Sequence, residues 1–284
     1  MEHPYPIPDF FNPGRADKAW HIDYETRAHQ AAAWARENGI PPASQDKRRV
    51  WLLLVDMQNT FCLPDFELFV AGPSGRGAVE DSIRLCRFIY ANLGMITRIT
   101  ATMDTHTAMQ IFHAVFLVDE NGAHPQPYSL VSAQDVRGGK WKFNAALADQ
   151  FDISPDYGQE MLLHYVNRLE EQGKYELTIW PYHAMLGGIG HALVPSVEEA
   201  LFFHSLVRSA RTEFEIKGRY TFTENYSAIG PEVLTGPMGE TLGGHNSAFI
   251  EKLQACDALL VAGQAKSHCV AWTLADLLED IQET

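Results

Sequence analysis

The chain has 284 residues, is 46% hydrophobic and 20% charged, and carries a formal net charge of −14. This is the composition of an ordinary globular protein with a core large enough to need no disulfide or metal staple. The acidic balance argues against gripping a phosphate backbone, so no nucleic-acid partner is expected. No apolar run approaches the ~20 residues of a membrane span, and Met1-Glu2-His3-Pro4 lacks the basic and apolar regions of a signal peptide. Cys62, Cys86, Cys256 and Cys269 are scattered, with no C-x-x-C pair. Free thiols in a reducing, cytoplasmic setting without a membrane partner are therefore expected.

Four prolines in the first thirteen positions mark an extended arm. Ile22 to Asn38 is rich in Ala and Glu, ends at Gly39 and is followed by Pro41-Pro42, which reads as a helix and its stop. Residues 1–47 are thus expected as an N-terminal arm and helix, ahead of a main domain at 48–284. Val50 to Val55 is a short continuous apolar run, the mark of a strand buried on both faces of a parallel sheet. It ends in Asp56, at the strand edge where open α/β sheets bind ligands. Gly72 to Gly77 lacks the Lys-Ser/Thr of a phosphate loop and reads as a plain loop. Ala78 to Leu93 is an amphipathic helix whose apolar face takes in Cys86. Met95 to Thr102 is a second strand, running into Asp104-Thr105-His106. Residues 113–179 show no repeat and one helix-like run, Glu160 to Gln172, and read as an insertion or lid.

Beyond it, Ser196 is expected to cap a helix to about Arg208, with Glu198 and Glu199 in its first turn. Glu213 to Ile216 is a short strand leading into Lys217-Gly218. Asn246 to Ala255 is a helix, Ala258 to Ala262 a buried strand, and Val270 to Ile281 a closing helix. Strands alternating with helices give a three-layer, Rossmann-like α/β fold with a mainly parallel sheet. Cys269 then sits between the last strand and a helix N-terminus, where free backbone N–H groups favour a thiolate.

Asp56, Lys217 and Cys269 thus stand at the ends of separate strands. Together they form a set for covalent amide hydrolysis. Cys269 would attack a carbonyl, Lys217 would favour the thiolate by its charge, and Asp56 would take the thiol proton and pass it to leaving ammonia. The bland readings are a helix-start cysteine, a loop-capping aspartate and a solvated lysine. Backbone N–H groups in the turn from Ala265 to Cys269 would stabilise the tetrahedral oxyanion.

These segments resemble the isochorismatase-like cysteine hydrolases, and within them the nicotinamidases. Asp56-Met57-Gln58-Asn59-Thr60-Phe61 looks like the family's first motif, Lys217-Gly218 like its lysine motif, and Gly263 to Cys269 like its nucleophile loop. The resemblance implies a cis peptide before Ala265 and an oxyanion hole made by the N–H groups of Ala265 and Cys269. Asp104-x-His106 with Trp180-Pro181-x-His183 looks like the nicotinamidase metal site. It implies a divalent metal (Zn, Fe or Mn) on Asp104, His106 and His183 that holds a pyridine nitrogen. His113 and His124 are alternative ligands. Phe61 and Trp180 would face the substrate ring, and His268 would wall the pocket.

The likeness runs from Arg49 to the C-terminus, leaving the stretch between Phe112 and Ile179 unmatched. Ala184, Gly187-Gly188, Gln264 and Lys266 depart from the family pattern. The family's further strand and helix after the cysteine helix are not found before Thr284, so the C-terminus reads as shortened. An exposed edge strand and a homo-oligomer are expected from this. The implied activity is a cysteine amidohydrolase cleaving a small planar carboxamide, nicotinamide first, to a carboxylate and ammonia through a thioester. Three alternatives stand beside it. One is a metal-independent relative acting on another amide or carbamoyl compound. The second is a metal-activated-water hydrolase in which Cys269 is incidental. The third is a non-catalytic member that binds a small molecule or a partner.

Overall fold

Six consecutive apolar residues, Val50–Val55, form strand β1, and every one of them is buried. Such a strand needs cover on both faces, and a computed structural model describing residues 4–283 shows how it is supplied. Parallel strands flank β1 on either side: β2 (Arg98–Asp104) and β8 (Ala258–Gly263). Strand β7 (Glu213–Lys217) pairs in parallel with β2, giving the order β7-β2-β1-β8. Side chains alternate across the sheet. Leu52 and Leu54 join one core, with residues of α3 (Gly77–Ala91) and α6 (Pro195–Arg208). Leu53 and Val55 join another, with residues of α7 (Ser247–Gln254) and α8 (Ala271–Glu283). The result is the three-layer α/β arrangement expected. Strands β7 and β8 are the outer strands among the described residues, and β8 is half-buried along its length.

The expected N-terminal helix is α1 (Tyr24–Glu37), capped by the Asp23 carboxylate, which accepts from Thr26 N–H. It packs on α6, where Arg27 pairs with Glu199 at 2.6 Å. Met1 to His3 of the arm and Thr284 lie outside the described residues. Two helix starts differ from expectation. In α6, Pro195 takes the first position and Val194 precedes it, so Ser196 is inside the helix and not its cap. Proline suits that first position because its missing N–H would be unpaired there anyway. The helix expected from Glu160 begins at Pro155 as α5 (Pro155–Glu171), because the Ser154 hydroxyl accepts from Tyr157 N–H and caps it. A four-residue helix, α2 (Asn59–Cys62), follows β1 and was not expected.

Residues 113–179 build a core of their own. Strand β3 (Leu117–Val118) pairs with β5 (Lys142–Phe143), and β4 (Leu130–Val131) pairs with β6 (Leu177–Thr178), both antiparallel. These ribbons pack with α4 (Ala133–Arg137) and α5 around buried Phe116, Leu162, Tyr165 and Val166. Val233, Phe222 and Leu242, from the long loop after β7, complete this core. No helix among the described residues is long and apolar enough to cross a membrane.

Candidate active site

The C-terminal ends of the four parallel strands deliver the polar side chains. Asp56 follows β1 with φ +50°, in the left-handed region that side chains other than glycine seldom occupy. Thr102 of β2 fixes it: the Thr102 hydroxyl donates to Asp56 Oδ1 and accepts from Asp56 N–H. Asp104 ends β2 and Lys217 ends β7, paired in register. Lys217 Nζ lies 2.9 Å from Asp56 Oδ2, 2.9 Å from Asp104 Oδ1 and 3.7 Å from Cys269 Sγ, and donates to the Asn225 carbonyl at 2.9 Å. The contact with Asp56 Oδ2 is close enough for an ion pair but is not aligned as a hydrogen bond, so that oxygen keeps a free lone pair. Gln58 locks the neighbouring strand end: it donates to the Asp104 carbonyl and accepts from Asp104 N–H, both at 2.8 Å.

All four groups are buried, and their titration follows from that. Burial opposes the charge of Lys217, but Asp104 and Asp56 together hold it well above the usual lysine range. Burial raises Asp56, against the pull of Lys217 and with a further push from the Asp104 charge. Burial acts the same way on Asp104, yet His106 and Lys217 hold it well below the ordinary carboxylate range. The thiol differs from the sequence expectation. Residues Lys266–Val270 form a π-helical turn that feeds α8, and Cys269 is buried inside it. Burial outweighs the nearby Lys217 charge and pushes the thiol well above its ordinary range. The resting group is therefore a thiol, not the thiolate that a helix N-terminus alone would favour.

Asp104, His106 and His183 are buried together, with one ligand atom from each lying within 4.8 Å of the others. Their hydrogen bonds decide whether a cation suits them. His106 Nδ1 lies 3.0 Å from the Gly218 carbonyl, and His183 Nδ1 lies 2.8 Å from the Pro181 carbonyl. Each Nδ1 must carry the proton to bond a carbonyl, which turns both Nε2 atoms towards Asp104 Oδ2, at 3.6 Å in His183 and at 2.8 Å in His106, where Nε2 and the carboxylate share a hydrogen bond and Asp104 raises the imidazole against its burial. A divalent cation would replace that proton, with both Nε2 atoms and the carboxylate as ligands and the carbonyls orienting the rings from behind. Gly218 is part of this fit. Its φ is +81°, and a Cβ there would meet Asp104 Oδ1 at 2.7 Å and His106 Cε1 at 2.8 Å.

His113 stands just outside the group, its ring 6.1 Å from that of His106 and 6.5 Å from that of His183. Burial lowers it to about 3, and its Nε2 has no partner. His124 bonds the Leu117 carbonyl in the inserted region, and neither histidine belongs to the three-residue cluster.

A cavity of about 240 Å³ opens over these groups. Cys269, Asp104 and His183 reach its surface, whereas Asp56, Lys217 and His106 sit behind it. Phe61, Trp180 and His268 line it, with Ala265 and Ser267 from the turn after β8. The Gln264–Ala265 peptide is cis. Trp180 Nε1 donates to the Tyr226 hydroxyl at 3.2 Å, with the two rings perpendicular. Leu68, Val70, Glu224, Asn225 and Tyr226 also line the cavity and were not anticipated. Glu224 is buried and raised to about 7 by that burial, even with His106 nearby. The supporting Gln58 lay within a motif already quoted, but nothing in the local pattern marked Glu224 or Asn225.

No protein-family model matches the chain, and no curated protein does. Solved structures do. The yeast nicotinamidase Pnc1p is 20% identical, with a TM-score of 0.47 over 79% of this chain and 79% of that one. The Acinetobacter baumanii nicotinamidase pyrazinamidease is 20% identical, with a TM-score of 0.49 over 83% of this chain and 80% of that one. The pyrazinamidase of Pyrococcus horikoshii in complex with zinc is 17% identical, with a TM-score of 0.43 over 81% and 79%. These are likenesses of chain path at low identity. What this chain can do is carried by its own side chains.

Proposed function

We propose that the protein is a cysteine amidohydrolase that cleaves a small planar carboxamide to a carboxylate and ammonia, nicotinamide being the first substrate to try. The observation that supports this reading is Cys269 at the surface of an aromatic-walled cavity, with Lys217 Nζ beside its Sγ and the Asp56 carboxylate beside that lysine, both behind the cavity wall.

The steps follow from the resting protonation. Cys269 starts as a thiol and Lys217 as an ammonium. Asp56 Oδ2 takes the thiol proton as sulfur attacks the carbonyl carbon, and Lys217 holds the thiolate charge as it forms. The N–H groups of Ala265 and Cys269 bind the oxyanion; loss of one such donor costs about 10²–10³ in rate. Protonated Asp56 then gives its proton to the nitrogen, the C–N bond breaks, and ammonia leaves a thioester on Cys269. Asp56 next deprotonates a water that attacks the thioester, releasing the carboxylate and returning the proton to sulfur. Phe61, Trp180 and His268 hold the planar ring and keep bulk water away. Asp104, His106 and His183 would hold a divalent cation, which supplies a Lewis acid to a ring nitrogen when bound. Lys217 belongs to both halves of the site, because it also neutralises Asp104.

The test is ammonia release from a panel of aromatic and aliphatic carboxamides, with Cys269→Ala and Lys217→Ala as controls. Turnover by the wild-type chain and its loss in both variants is the expected result. Undiminished turnover in Cys269→Ala would sink the covalent mechanism.

A further inference from the structure

One wall of the cavity is held from outside it. Ser267 and His268, in the turn after β8, line the cavity, whereas Tyr175 of the inserted region touches both and lines none of it. The Tyr175 hydroxyl donates to the Ser267 carbonyl at 3.0 Å, and its ring lies 4.8 Å from the His268 ring at an interplanar angle of 35°. Trp180 and Tyr226 also meet His268, at 5.8 Å and 5.2 Å, but edge-on, and both line the cavity themselves. Tyr175 is therefore the ring that backs the imidazole from behind the wall.

This backing is anchored, while His268 by itself is not. Gly173, with φ +63°, turns the chain out of α5. Next to it, Lys174 Nζ lies 3.0 Å from Oε2 of the buried Glu232 and 4.9 Å from the centre of the Trp272 ring. Tyr175 is 43% exposed, so burial does not dictate where its ring goes; the bond to Ser267 and the stack on His268 do. The His268 ring has one hydrogen bond among the described residues, between Nδ1 and Ser267 Oγ at 2.9 Å. Ser267 is its own neighbour on an exposed turn, and such a bond does not fix a ring against a cavity. Without Tyr175 the imidazole has room to swing outward.

We propose that Tyr175 is a positioning residue: by backing His268 it sets the width of the cavity and confines the site to single-ring carboxamides. The inference rests on the amide-hydrolase reading and narrows its substrate class by size. An aromatic pair of this kind biases a ring's position by about two- to tenfold, and that bias is what a wider substrate must overcome.

The experiment compares kcat and KM for pyridine-3-carboxamide and its two benzo-fused forms, quinoline-3-carboxamide and isoquinoline-4-carboxamide. It uses the wild type, Tyr175→Ala, Tyr175→Phe and the same Tyr175→Ala change in a His268→Ala background. The wild type is expected to favour the single ring by about tenfold or more in kcat/KM. In Tyr175→Ala that preference should shrink by about two- to tenfold for at least one fused form, through KM. Tyr175→Phe keeps the ring and loses only the bond to Ser267, so it should restore most of the preference. In the His268→Ala background Tyr175→Ala should change nothing further, because it acts through that ring. Equal use of fused and single rings by the wild type would overturn the proposal. So would equal losses for all three compounds in Tyr175→Ala, the outcome of a purely structural role, or a full effect of Tyr175→Ala without His268. Calorimetric binding of the three compounds to Cys269→Ala, with and without Tyr175→Ala, separates the two readings. A size preference in binding that Tyr175→Ala relaxes, without turnover by the wild type, would sink the amidase and keep the positioning role. Turnover with a preference that Tyr175→Ala leaves unchanged would do the reverse.

Discussion

The sheet ends and the inserted region solve different problems in this molecule. Asp56, Asp104, Lys217 and Cys269 are delivered by strands β1, β2 and β7 and by the turn after β8, and strand pairing fixes their spacing. Asp104 and Lys217 are direct partners in register, and Gly263 faces Val55 so closely that a Cβ there would meet its carbonyl oxygen at 2.1 Å. The inserted region has only two-residue strands and a separate core, and it touches the site through Tyr165 and the residues packed about Trp180. A parallel sheet holds reacting groups rigidly, whereas an appended core can be reshaped without moving them. On the reading proposed above, chemistry would sit with the sheet, and selection of the substrate with the insertion and the loop after β7.

The sharpest way to break this division is to remove the charge at its centre. Lys217→Met leaves Asp56 and Asp104 buried without their shared cation. Activity is expected to fall by about 10²–10⁴, and stability to urea by about 3–5 kcal/mol. A stable and active Lys217→Met protein would mean that the strand ends do not act as one electrostatic unit. Gly218→Ala comes next. The new methyl would press on Asp104 and His106, so affinity for an added divalent ion is expected to drop by about 10–100-fold in a calorimetric titration. Unchanged affinity would remove the metal from the cluster.

On the other side of the comparison, Leu162 is fully buried in the inserted core. Leu162→Ala is expected to cost about 2–5 kcal/mol in unfolding free energy and to act on KM more than on kcat. A collapse of kcat as deep as that of Lys217→Met would show that the insertion shapes the chemistry as well as the pocket.

The smallest effect concerns the scaffold alone. Burial lowers His204 to about 4, while it sits 2.9 Å from the Ile96 carbonyl. The unfolded chain then takes up the proton first, so this residue's contribution is complete above the ordinary histidine range and is lost as pH falls towards 4. Between pH 7 and pH 5 it accounts for about 2 kcal/mol of lost stability. Denaturant melts of His204→Gln should show a shallower acid slope than the wild type. Equal slopes would mean that His204 is not held neutral.

The same division explains what the residues revealed before any coordinates. A run such as Val50–Val55 has one plausible environment, so β1, its neighbours and the carboxylate at its end could be read directly. Lys217 followed because it closes the short strand Glu213–Lys217, and Cys269 because it lies in the turn between the apolar strand Ala258–Gly263 and the closing helix. Glu224 and Asn225 could not be read this way. They lie in a loop without periodicity, and their place depends on Tyr165 from α5 and on Lys217, both distant in the chain. The two-residue strands of the insertion carry too little pattern to register against anything. The thiol was misjudged for a physical reason: position near a helix start is visible in sequence, but the burial that dominates Cys269 is not.

The central claim is that carbon–nitrogen cleavage passes through a bond to Cys269. Its most direct test is intact-mass spectrometry of the protein acid-quenched during turnover of a carboxamide that it hydrolyses. The expected result is a transient mass gain equal to one acyl group, mapped to the peptide containing Cys269 and absent from Cys269→Ala. Turnover that proceeds with no such adduct, and at the same rate in Cys269→Ala, would contradict it.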